Sequence, residues 1–78
     1  MTRVLIVDDD PSLRDVVRIA LARGGFETVE AADGAAALRQ VAATSPDLVV
    51  LDVTLPELDG TEVCRQLRRT SRVPILFL

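Results

Sequence analysis

Two stretches decide the architecture: Val4-Leu5-Ile6-Val7-Asp8-Asp9 and Leu48-Val49-Val50-Leu51-Asp52, each an unbroken apolar run that ends on carboxylate. A strand with one wet face alternates apolar and polar side chains. An unbroken run instead marks a strand covered on both faces, as the central strands of a parallel sheet are. Outward from the first run, Asp10 and Pro11 supply a helix N-cap and a first-turn proline. Leu13, Val16, Val17, Ala20 and Leu21 then share one helical face, and Gly24-Gly25 closes the segment. Phe26 to Glu30 alternates, as an edge strand does, and Asp33-Gly34 opens a second helical pattern. Its inner face is Ala37, Leu38, Val41 and Ala42, and it ends at Thr44-Ser45-Pro46. Beyond the second run, a loop containing Pro56 leads to Asp59, the cap of a third helix. There Val63, Cys64 and Leu67 face inward, while Arg65, Arg68 and Arg69 face outward near its carboxyl end. Ile75-Leu76-Phe77-Leu78 reads as a third apolar strand. Strands and helices alternating at this spacing mean βαβ units, a parallel sheet and right-handed crossovers.

Composition narrows the functions open to such a sheet. Seventy-eight residues make one small domain of marginal stability, able to bury only about 60–65% of its unfolded surface. Nearly half the residues are apolar, which excludes a disordered chain, and only Phe26 and Phe77 are aromatic, so the core is aliphatic. The chain contains no histidine, which removes the usual zinc sites and histidine acid/base catalysis. The single cysteine, Cys64, has no internal disulfide partner and lies on an apolar helix face, where free cysteine packs as a small hydrophobe. No apolar run approaches the roughly 18–20 residues that span a bilayer, and the first residues do not resemble a signal peptide, so a cytoplasmic protein is expected. With a formal charge of −3 and arginines scattered along helices, direct DNA contact is expected only through another domain.

The chemistry concentrates in three aspartates. Asp8 and Asp9 follow one buried strand and Asp52 another, so all three fall at the carboxyl ends of central strands, where open α/β sheets bind ligands. If those strands are neighbours, about 4.8 Å apart, their terminal carboxylates converge. Like charges that close resist joint ionisation unless a cation intervenes, and a hard divalent ion with oxygen ligands, such as Mg2+, answers that need. An aspartate after a strand commonly does no more than cap the next helix, the reading given to Asp10. It is the joint pattern of Asp8, Asp9 and Asp52 that points to a site.

Along its whole length the chain resembles the receiver domain of two-component response regulators. Val4-Leu5-Ile6-Val7-Asp8-Asp9-Asp10 resembles that family's acidic-pair strand, and Asp33-Gly34 the opening of its second helix. Pro46-Asp47-Leu48-Val49-Val50-Leu51-Asp52-Val53-Thr54-Leu55-Pro56, with Asp59-Gly60, resembles its phosphoacceptor strand and loop. The resemblance implies a flavodoxin-like, doubly wound parallel sheet with strand order 2-1-3-4, truncated after the fourth strand, so that residues 1–78 form a receiver domain incomplete at its carboxyl end. It further implies that Asp52 accepts a phosphoryl group from a sensor histidine kinase or histidine phosphotransfer protein. Asp9 would ligate Mg2+ directly, Asp8 through water, and the Thr54 backbone carbonyl would be a further ligand. In the family the first helix contacts the phosphotransfer partner, which makes Arg14 and Arg18 candidate contacts, although solvated helix faces look the same. Pro56 would shape the loop and Gly60 would permit close entry to the third helix. The form of that loop resembles regulators with a winged-helix DNA-binding output domain, and hence transcriptional control. The family's hydroxyl after the fourth strand and lysine after the fifth would lie beyond Leu78.

Two other readings compete. A phosphatase with an aspartate nucleophile carries a second aspartate two positions on as general acid; here that position is Thr54, and the leaving group would go unprotonated. A non-signalling fragment would expose Ile75-Leu76-Phe77-Leu78 as a bare apolar edge and self-associate, as a homodimer or by domain swapping.

Overall fold

The computed structural model describes residues 1–55 and 58–78. Its elements are β1 (Arg3–Val7), α1 (Pro11–Arg23), β2 (Glu27–Ala31), α2 (Gly34–Thr44), β3 (Leu48–Leu51), α3 (Gly60–Leu67) and β4 (Ile75–Phe77). All strand pairs are parallel, in the order β2-β1-β3-β4. The flavodoxin-like order expected from the sequence is therefore present, with β1 and β3 side by side. Pro56 lies outside the described residues.

The two apolar runs are central strands for the reason their composition gave. Val4, Leu5, Ile6 and Val7 are all buried, as are Val49, Val50 and Leu51, because helices cover both faces of a parallel sheet. Period two sends Leu5, Val7, Val49 and Leu51 into a core shared with Ala37 of α2 and Val63 and Leu67 of α3. Val4 and Ile6 turn to the opposite face, where α1 packs against β1 and β2.

Each helix begins on an aspartate whose side chain accepts a backbone N–H: Asp10 from Ser12, Asp33 from Ala36 and Asp59 from Glu62. Gly25, at φ 86°, makes the turn out of α1 in the left-handed region that only glycine enters without strain. Gly34 serves packing instead: a Cβ there would lie 2.6 Å from Val63 Cγ2 and 2.9 Å from Leu58 Cδ2, so the start of α2 sits directly against α3 and its entry loop.

Three expectations need correction. Phe26 is not in β2; its N–H donates to the Leu21 carbonyl at 3.1 Å, ending α1, and the strand starts at Glu27. α1 buries none of its residues: Leu13, Val16 and Ala20 of its expected inner face are exposed, and only Val17 and Leu21 are half-buried. One helix beside β1 and β2 covers only part of that sheet face. Arg68 and Arg69 lie past the last helical residue, Leu67, with Arg68 as the cap. The apolar β4 is the edge strand that the order 2-1-3-4 implied, with Leu76 and Phe77 exposed.

Candidate phosphoacceptor and metal site

The register of the central pair builds the site. Val7 lies opposite Leu51 in the β1–β3 ladder, and the pairing continues one step further. The Asp52 N–H donates to the Val7 carbonyl at 3.0 Å, and the Asp8 N–H donates to the Ala31 carbonyl at 3.2 Å. Asp8 and Asp52 thus leave adjacent strands at the same level. One carboxylate oxygen from each of Asp8, Asp9 and Asp52 lies within 4.8 Å of the others.

The three carboxylates occupy different surroundings. Asp8 is 3% exposed, the one buried charged residue among those described; its Oδ1 accepts the Asp10 N–H at 2.9 Å. Asp9 is exposed and Asp52 half-buried. Both bonds to Asp52 fall on Oδ1, from the Thr54 N–H at 2.9 Å and the Thr54 hydroxyl at 3.1 Å. Among the described residues Oδ2 accepts none. Behind Asp52, the Gly60 N–H donates to the Val53 carbonyl at 2.9 Å. A Cβ on Gly60 would come within 2.5 Å of the Asp52 carbonyl oxygen, so close entry to α3 depends on glycine, as the sequence implied.

At the start of α3, the Thr61 hydroxyl and the Glu62 N–H hold the Asp59 carboxyl below its usual range. Hydrogen bonds from Arg65 and Gln66 pull Glu62 down to about 2. These groups order the start of the helix that follows the Asp52 loop.

An all-oxygen, three-carboxylate cluster with one member buried suits a hard divalent cation, and suits a softer or nitrogen-preferring metal poorly. A concavity of about 690 Å³ lies elsewhere, lined by residues such as Ser45, Asp47, Arg72 and Pro74 that precede β3 and β4. That is the opposite edge of the sheet, so shape alone would misplace the chemistry.

The sequence brought out Asp8, Asp9 and Asp52, and the structure brings them together. Thr54 stands beside Asp52 through its N–H and hydroxyl rather than through any contact seen for its carbonyl. What sequence reading missed is Glu30, and the bond from Arg14, there only a candidate partner contact, to the Asp8 loop. Arg14 Nη1 donates to the Asp8 carbonyl at 2.6 Å and Nε to Glu30 at 3.2 Å. No local signal pointed to this link, because only the strand register brings Glu30 opposite Ile6 and near the end of β1.

A parallel α/β sheet with three convergent carboxylates at the carboxyl ends of its middle strands defines an acidic site whose oxygen donors suit a hard cation. Residues 4–78 match the response regulator receiver domain, and the chain belongs to that family. It is 50% identical over 76 residues to the DNA-binding response regulator MtrA of Mycolicibacterium smegmatis, a match covering 97% of this chain and 33% of MtrA. The chain thus spans about a third of the length of that curated relative. Among solved structures, the N-terminal domain of a response regulator receiver protein from Methanoculleus marisnigri superposes with a TM-score of 0.95 at 34% identity, over 99% of this chain and 65% of that one. The response regulator TrrA of Thermotoga maritima, solved in complex with Mg2+-BeF, superposes with a TM-score of 0.88 at 35% identity, over 92% and 63% of the two chains. Among the described residues no helix is long and apolar enough to cross a membrane.

Proposed function

We propose that residues 1–78 act as the phosphoryl-accepting part of a two-component response regulator, with Asp52 as the acceptor. The observation that carries this is the convergence of Asp8, Asp9 and Asp52 within 4.8 Å, with one oxygen of Asp52 fixed by Thr54 and the other accepting no bond from the described residues.

Thr54 orients the Asp52 carboxylate so that Oδ2 presents a lone pair outward. That oxygen attacks the phosphorus of a phosphohistidine on a sensor kinase or phosphotransfer protein. A P–O bond forms as the P–N bond breaks, and the imidazole nitrogen leaves with the electron pair and takes a proton. Asp8, Asp9, Asp52 and the Thr54 carbonyl would hold Mg2+. The bound ion supplies neutralising charge where the carboxylates and the incoming phosphoryl oxygens would otherwise repel. The buried Asp8 is held by the Asp10 N–H, so its carboxylate needs little reorganisation to serve.

DNA binding, which the name of MtrA states for that relative, would here belong to a domain outside these 78 residues. A second copy of the chain is the further partner favoured by the exposed Leu76 and Phe77 of the β4 edge.

The test is labelling by a small phosphodonor such as acetyl phosphate. The expected outcome is phosphate on Asp52 in Mg2+ that alkali and hydroxylamine release, none in EDTA, and none in Asp52→Asn. Labelling that survives Asp52→Asn would refute the assignment.

A further inference from the structure

Asp8 is held at every backbone hydrogen-bonding group. Its N–H donates to the Ala31 carbonyl, its carbonyl accepts from Arg14, and its carboxylate accepts the Asp10 N–H. The Arg14 bond is the unexpected one, because it comes from a helix whose other face is open to solvent. The Arg14 side chain is 18% exposed against 41% for Arg18 on the same helix. It is held in turn by Glu30, whose second oxygen lies 3.8 Å from Arg18 Nε. One guanidinium therefore ties together α1, the end of β2 and the loop that carries Asp8 and Asp9.

We propose that Arg14, braced by Glu30, is a positioning residue for the metal side of the acidic site: it fixes the Asp8 carbonyl and thereby the direction in which the Asp8 and Asp9 carboxylates point. This rests on the reading of Asp8, Asp9 and Asp52 as a Mg2+ site. Partners that orient metal ligands without touching the ion set affinity through geometry. Only arginine suits the place, because its planar fork donates from Nε to a carboxylate and from Nη1 to a carbonyl at the same time, which a lysine ammonium cannot reproduce.

Charge and geometry predict opposite signs here, which makes the idea decidable. A guanidinium near three carboxylates repels a cation, so if its charge alone mattered, removing it would tighten Mg2+ binding. If Arg14 positions the ligands, removing it loosens binding.

The experiment is an NMR titration of the 78-residue chain with Mg2+, following the backbone amides of Asp8, Asp9, Asp10 and Thr54. Wild type, Arg14→Lys, Arg14→Gln and Glu30→Asp are compared, each with its thermal midpoint from circular dichroism. The expected result is a roughly tenfold weaker Kd in Arg14→Lys, where charge is kept and the fork lost, and weaker binding also in Arg14→Gln. The Asp8–Asp10 amides should already be displaced before Mg2+ is added. Tighter binding in Arg14→Gln with Arg14→Lys unchanged overturns the proposal in favour of a charge effect. A lowered midpoint with unaltered Kd overturns it in favour of a purely structural role. Should the Arg14 variants fail to fold, Glu30→Asp decides: it keeps the charge and shortens the brace, and an unchanged Kd in the folded protein refutes the idea. Wild type that binds no Mg2+ overturns the site reading itself, and the inference with it.

Discussion

Asp8, Asp9 and Asp52 are one residue type in three environments, and the differences fit the roles proposed for them. Asp8 is buried and pinned, Asp9 is exposed, and Asp52 has one oxygen held by Thr54 while the other accepts no bond from the described residues. A ligand that must not move is best buried and bonded, whereas a nucleophile must keep an open lone pair. Glu62 shows how a hydrogen bond becomes a pH dependence. Its carboxyl titrates near 2 in the folded chain instead of 4.5, because Arg65 and Gln66 stabilise the ionised form. The folded value is the lower one, so the contribution is complete above about pH 4.5 and is lost as pH falls toward 2. Glu62 faces solvent at the start of α3, so the effect is small and screened by salt. Wild type is expected to melt above Glu62→Gln at pH 6, with the gap closing toward pH 2 and narrowing in 0.5 M NaCl. Thermal midpoints across that range check it.

At the scale of the element, the ends of the helices were more legible than their packing. Asp10, Asp33 and Asp59 announced three N-caps, and all three accept the bonds expected of them. That is local chemistry, settled within three residues. Gly34 was legible only as the opening of a helix, because the side chains that need its missing Cβ, Leu58 and Val63, come from another part of the chain. Gly34→Ala is expected to destabilise by about 1–3 kcal/mol through overpacking between α2 and α3, despite the better helix propensity of alanine. Urea denaturation should show a lower midpoint with an unchanged slope. α1 makes the converse point. Its apolar face was plain in the sequence, but periodicity states which residues share a face and not whether anything covers it. Leu13, Val16 and Ala20 stay exposed.

At the scale of the whole molecule, burial is uneven across the two sides of the sheet. One side packs Leu5, Val7, Val49 and Leu51 against α2 and α3, while the α1 side leaves Val16 and Leu76 more than half exposed. An aliphatic core this small leaves a narrow margin, and Leu51→Ala, at a fully buried position, would cost about 2–5 kcal/mol. An exposed apolar face beside an open strand edge favours association of the 78-residue chain with itself. Sedimentation at micromolar concentration is expected to show species heavier than the 8.4 kDa monomer. Leu76→Lys should return them to monomer, and a monomer in the unaltered chain would refute the expectation.

The sequence by itself determined the βαβ alternation, the parallel central pair and the three carboxylates that end its strands. Those features depend on polarity patterns a few residues long, and the resemblance added the strand order. Only the tertiary structure decided which apolar faces find cover, that Gly34 is a contact point, and that Arg14 and Glu30 reach the loop of Asp8 and Asp9. Each of these joins residues far apart in the chain, through a register and a packing that no local pattern encodes.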